Sequence, residues 1–170
     1  MESLVIITGS MGAGKTCVLG EASDLLALRR IIHAAIDLDA LGLAHIGSGE
    51  TRTVMYRNLQ CVCENYAALG VTRLLMARAI EDRSELELCR TVVSATSTVV
   101  CRLTASIETM EQRVRMRESG VAQQAYVTRV AELNAILDHA RLEDFVVSSE
   151  NRSVTQVAEE MLIKARWISK

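Results

Sequence analysis

Leu4-Val-Ile-Ile-Thr-Gly-Ser-Met-Gly-Ala-Gly-Lys-Thr16 carries the strongest structural signal in the chain. Four aliphatic residues in a row, stopped by a glycine, read as a strand buried on both faces, which is the habit of parallel sheets. Gly9 to Thr16 then fits G-x-x-x-x-G-K-[ST] and leads into a segment of helical period, Lys15 to Leu28. The glycines allow backbone conformations closed to other residues. Successive N–H groups of Gly12, Ala13 and Gly14 can therefore converge on a phosphate at a helix N-terminus, where the dipole favours anions. Lys15 would bring a mobile charge to the β- and γ-phosphates, and the Thr16 hydroxyl would enter a magnesium shell. Cys17 follows without a hydroxyl, so only its backbone N–H is expected to serve.

Outward from this loop, strand-length apolar runs alternate with longer helical segments, the pattern of βαβ units around a parallel sheet. The strands are expected at Leu4–Thr8, Ile31–Asp37, Arg73–Ala77, Val99–Leu103 and Phe145–Val147. Helices are expected at Lys15–Leu28, Thr51–Leu69, Arg83–Ser94, Ser106–Glu118, Ala122–Ala140 and Val154–Ile168. In the fifth helix Tyr126, Val130, Leu133, Leu137 and Ala140 make one apolar stripe; in the last, Val154, Val157, Met161, Ala165 and Ile168 do the same. Ser153 with Gln156 three residues on predicts a capping box. With no proline in the chain, loop boundaries rest on glycine alone.

A length of 170 residues suits one domain, taken as 1–170. A net charge of −2 and a total of one tryptophan, three tyrosines and one phenylalanine offer neither a basic footprint nor a stacking surface. No nucleic-acid or anionic-membrane partner is expected on those grounds. The apolar runs fall well short of the roughly 20 residues of a membrane helix, and Met1-Glu2 leads into a strand without a basic leader, so the expected location is cytoplasmic. Five cysteines without zinc or C-x-x-C spacing read as reduced thiols. Cys61 and Cys63 fall about 200° apart on a helix, on different faces.

A nucleotide loop alone does not define a reaction. Transfer of a phosphoryl group also needs a held acceptor, a group to orient or deprotonate it, and cations on the developing charge. Ligands of open α/β sheets sit at the C-terminal strand ends, and there the second strand ends in Asp37-Leu38-Asp39. Asp37 is the candidate base or ligand of a metal-bound water, and Asp39 the candidate grip on an acceptor; a helix cap is the competing role for either. The third strand ends without an acid and is followed by Arg78, a candidate for an anionic acceptor or a surface cation near Glu81 and Asp82. Gly42 to Glu50 and Arg52 would form the acceptor side. Arg113, Arg115 and Arg117 lie within five residues. Arg113 and Arg117 share a helix face and could close over a nucleotide as a lid spanning about 113–128, with Arg115 pointing away and a solvated, Glu-paired helix as the competing role.

GSMGAGKT, DLDAL, RLTASIETMEQRVRMRE and DFVVSSENRSVTQVAEEML, in these positions, resemble the small P-loop kinases of the group containing shikimate kinase, gluconate kinase, adenylylsulfate kinase and chloramphenicol phosphotransferase. The resemblance implies the P-loop NTPase three-layer α/β fold, with a five-stranded parallel sheet in order 2-3-1-4-5 flanked by helices. It also implies ATP and Mg2+, a base or acceptor ligand at Asp37, lid arginines at Arg113 and Arg117, and an adenine-contacting loop at Ser149–Ser153 with Asn151 and Arg152. No signature for one acceptor is present. The expected function is therefore transfer of the ATP γ-phosphate to a hydroxyl of an unidentified metabolite or antibiotic, with a nucleotide-binding regulator or weak NTPase as the alternative.

Overall fold

The computed structural model describes residues 1–44 and 50–169. Five strands form one parallel sheet: β1 (Ser3–Thr8), β2 (Ala34–Asp37), β3 (Arg73–Ala77), β4 (Ser97–Thr104) and β5 (Phe145–Ser148). Their order is β2-β3-β1-β4-β5, as the resemblance implied. The helices are α1 (Lys15–Leu28), α2 (Thr51–Ala68), α3 (Arg83–Val93), α4 (Ile107–Arg117), α5 (Gln123–Ala140) and α6 (Val154–Lys164), with a 3₁₀ turn at Leu38–Gly42.

Period-two alternation sorts the strand side chains between two cores. Val5, Ile7, Leu75, Ala77, Cys101 and Leu103 face one core, shared with α1 and α6 residues such as Leu26 and Met161. Leu4, Ile6, Leu74, Met76 and Val100 face the other, shared with α2 and α3 residues such as Leu59 and Leu86. Every residue from Leu4 to Ile7 is 0% exposed, which is why this run carries no polar alternation.

The central strands match the expected ones within one or two residues. β2 is shorter than expected, because α1 ends in a left-handed turn at Arg30 and Ile31 N–H returns to the Leu26 carbonyl; Ile31 to His33 are spent on that turn. The expected stripe on α5 is also shifted. Val127, Val130, Leu133 and Leu137 are its buried residues, while Tyr126 is 38% exposed. On α6, Val154 is exposed and the buried set is Val157, Ala158, Met161 and Leu162. That helix stops at Lys164 in a Schellman turn, Trp167 N–H to Leu162 carbonyl and Arg166 N–H to Ile163 carbonyl, so Ile168 lies beyond it. The Ser153–Gln156 capping box is present in both directions. All five cysteines are free, with Cys61 exposed and Cys63 buried, as their spacing on α2 requires.

Candidate functional site

The loop from Gly9 to Gly14 leaves the C-terminal end of β1 and enters α1. Gly14 caps that helix at φ 100°, a backbone reserved for glycine. Gly12 has φ 77°, and a Cβ there would sit 2.2 Å from the Met110 carbonyl oxygen. The α4 backbone thus packs directly on the loop, a contact that only a missing side chain allows. Lys15 Nζ donates to the Gly9 and Ser10 carbonyls at 2.9 and 3.1 Å, folded over the loop it belongs to. Burial pulls its pKa down to about 8, against the opposing fields of Asp39 and Asp37, and Arg117 and Arg78 pull the same way as burial.

Two cavities meet across this loop, sharing Gly14 and Cys17. One, of about 120 Å³, is bounded by Gly12, Lys15, Thr16, Asp39 and Arg117 and is suited to phosphate groups. The other, of about 150 Å³, is walled by Ala13, Val18, Val154 and Val157, with Arg113, Ser149 and Arg152 at its polar side. Together they make a cleft with a charged end toward β2 and an apolar end toward β5. Cys17, expected to contribute only its N–H, has an exposed thiol bordering both.

At the charged end, Thr16 Oγ1 donates to Asp37 Oδ2 at 2.7 Å. Asp37 Oδ1 accepts from Asp39 N–H and caps the 3₁₀ turn, so this residue fills the capping role while also facing the loop. Asp39 pairs with Arg78, which reaches on to Glu85 at 3.0 Å. Glu85 is 3% exposed and also accepts from the Tyr56 hydroxyl at 2.9 Å. Burial opposes the Arg78 charge, but Glu85 and Asp39 outweigh it and raise the pKa. The sequence had placed Arg78 near Glu81 and Asp82. Glu81 instead receives Arg129 of α5 at 2.8 and 3.0 Å, and Asp82 caps α3 through the Glu85 N–H. Sequence reasoning missed Glu85 and Tyr56. The signal available was the capping spacing Asp82-x-x-Glu85, which fixes where a carboxylate faces back toward the strand ends.

The two arginines read as partners on α4 have different surroundings. Arg113 donates to the Gly12 carbonyl at 3.2 Å and to Ser149 Oγ and carbonyl at 2.9 and 3.0 Å. Glu150 caps the same helix by accepting from Ser106 N–H and Thr109 Oγ1 at 2.8 and 2.7 Å. The first turns of α4, the loop and the β5–α6 turn are thereby clasped together. Arg117 is 57% exposed, among the described residues pairs with Glu118 alone at 2.8 Å, and borders the phosphate cavity. Arg115 pairs with Glu111 away from the cleft. Arg152 borders the apolar cavity and is held by Glu160 at 2.6 Å, whereas Asn151 is exposed at φ 51° and borders neither cavity. Arg52 lines a separate groove with Tyr56 and Leu88 between α2 and α3. Of the expected acceptor-side stretch Gly42 to Glu50, residues 45–49 lie outside the described residues.

No protein-family model and no curated protein sequence matches the chain. Solved structures do match over nearly its whole length. A shikimate kinase from Acinetobacter baumannii in complex with shikimate aligns at TM-score 0.64 and 16% identity, covering 98% of this chain and 94% of that one. The APS kinase CysC of Mycobacterium tuberculosis in complex with AMPPNP and APS aligns at 0.66 and 19%, covering 98% of each. A gluconokinase from Sinorhizobium meliloti aligns at 0.64 and 14%, covering 97% of this chain and 92% of that one. With a five-stranded parallel sheet in the order β2-β3-β1-β4-β5, this chain has the fold of the small P-loop kinase group to which those enzymes belong.

Proposed function

We propose that this chain is an ATP-dependent, Mg2+-dependent kinase that transfers the γ-phosphate to a hydroxyl of a small molecule. The observation that carries the reading is the convergence of Lys15, Thr16, Asp39 and Arg117 around one phosphate-sized cavity at the C-terminal strand ends, with Asp37 hydrogen-bonded to Thr16 at its edge. The apolar cavity beside Arg113 and Arg152 would take the adenine, which sets the nucleotide across the loop with its γ-phosphate toward β2.

Thr16 Oγ1 and Asp37 Oδ2 form a hard oxygen pair 2.7 Å apart, the donor type that suits magnesium held jointly with phosphates. Such an ion would neutralise charge on the transferring group. The chain's own groups do the rest. Lys15 would leave the Gly9 and Ser10 carbonyls for the phosphates, Asp39 would accept a hydrogen bond from the acceptor hydroxyl and orient it, and Asp37 would take its proton or hold a water. Arg117, the arginine with the looser anchorage, would add charge at the phosphates. Arg113 would keep the loop and the β5–α6 turn in register.

The test is ADP release from Mg-ATP in the presence of pooled hydroxyl compounds, sugars and antibiotics among them. A pool that raises the rate supports the kinase. A weak NTPase or nucleotide-dependent regulator, a reading favoured by the absence of an acid at the end of β3, would release ADP slowly and at one rate whatever is added.

A further inference from the structure

At the end of the sheet away from the phosphate loop lies a cavity of about 440 Å³, more spacious than either cavity of the cleft. Its floor is set by strand register. Arg73 of β3, Ser3 of β1 and Ser97 of β4 are directly paired across three neighbouring strands, and Val99 follows two residues along on the same face. The Schellman turn that ends α6 forms the wall and brings Lys164, Arg166 and Trp167 to it. The length of β1, about 17 Å, separates this cavity from the phosphate loop.

The charges here are not balanced. Lys164 is occupied by Glu160 at 2.8 Å and by the Val146 carbonyl at 3.0 Å. Arg73 and Arg166 have no carboxylate within ion-pair distance among the described residues, and Arg73 is half-buried. Among the described residues Glu2 is the one carboxylate bordering the cavity, against three cations. Two serine hydroxyls add donors: Ser3 Oγ already accepts from Trp167 Nε1 at 3.0 Å, so its own proton is left to give. Two arginines that converge on one cavity without a carboxylate partner among the described residues leave their fork-shaped donor sets open, and an oxyanion is the ligand that accepts directed hydrogen bonds from them. The volume is that of a small-molecule pocket.

We infer that this cavity is a second ligand site, distinct from the nucleotide cleft, which binds a small dianion through Arg73 and Arg166 with Ser3 and Ser97 as neutral donors. Phosphate monoesters and dicarboxylates share the required chemistry. Trp167, the single tryptophan of the chain, sits in the wall and reports occupancy directly.

The experiment is a fluorescence titration of the full chain with inorganic phosphate in one arm and succinate in the other, at ionic strength fixed with chloride. A saturable change in Trp167 emission is expected in at least one arm, and the responding arm identifies the anion class. Replacing both arginines (Arg73→Gln with Arg166→Gln) should weaken that response at least tenfold while ATP binding persists. Lys15→Ala, which disables the phosphate loop, should leave it unchanged. Should the double variant fail to melt cooperatively, Ser97→Glu, an exposed position, supplies a repelling carboxylate instead and should weaken the response equally. No saturable change in either arm, a response that survives the arginine and Ser97 variants, or one lost with Lys15→Ala overturns the assignment.

Discussion

The two sides of the charged cavity are built differently. The loop side is made from one contiguous stretch, Gly9 to Thr16, clasped by backbone-level contacts: Met110 against Gly12, and Arg113 onto the Gly12 carbonyl and Ser149. The β2 side is a relay of side chains from four separate parts of the chain, Asp39 to Arg78 to Glu85 to Tyr56, of which Asp39 borders the cavity. A site made of backbone is fixed by local sequence; one made of side chains gathered from distant elements depends on packing. Side chains on the second side can therefore change without disturbing the first.

The largest effect expected from breaking this contrast is at Gly12. Gly12→Val combines a disfavoured φ with a clash against α4 backbone and should cost about 4 kcal/mol of stability, along with nucleotide binding. Gly14→Ala, where a Cβ meets nothing within 4 Å, should cost only about 1–2 kcal/mol. Thermal melts of the two variants separate packing from backbone strain. On the other side, Arg78→Ala leaves the Glu85 carboxylate buried without its cation, and a loss of about 3 kcal/mol is expected in denaturant unfolding. Nucleotide affinity should barely move, because Arg78 borders neither cavity.

Lys15 sharpens the comparison through pH. Its free-state pKa of about 8 lies below the ordinary 10.5, and bound phosphate would raise it again. ATP affinity should accordingly be flat below pH about 8 and fall by up to tenfold per pH unit above it, with proton uptake on binding in that upper range. The sign for stability is the reverse: without ligand, the buried charge costs stability below pH about 8, and the cost is relieved as pH rises toward 10.5. Calorimetric titration in two buffers of different ionisation enthalpy checks the proton count. The smallest effect belongs to Arg115→Ala, which removes an exposed pair with Glu111 and should change stability by less than about 0.5 kcal/mol and ATP affinity not at all.

How much of this was legible in the sequence follows the same division. The Gly9–Thr16 loop, the strand alternation and the Ser153 capping box depend on neighbours in the chain, and they could be read directly. The α5 stripe shifted to Val127 because the covering element, not helical period alone, decides which flank of an apolar face is buried. Arg113 and Arg117 have one spacing and two environments: the first lies over the loop and the second one turn further out, beyond reach of Ser149. The pairing of Arg78 with Glu85 joins the end of β3 to the first turn of α3 across a loop whose path the residues between them do not specify. No local pattern announces that Arg73, Ser3 and Ser97 form one row, since this rests on the register of three strands far apart in the chain.

We propose phosphoryl transfer at the charged end of the cleft, with Asp37 beside Thr16 at its centre. The most direct measurement is acceptor-stimulated ADP release by the native chain and by Asp37→Asn, with ATP binding measured in parallel. Stimulation by one acceptor pool is expected in the native chain and its loss, by about 100-fold or more, in a variant that still binds ATP. Undiminished stimulated turnover in Asp37→Asn, or no stimulation of the native chain by any acceptor, would contradict it.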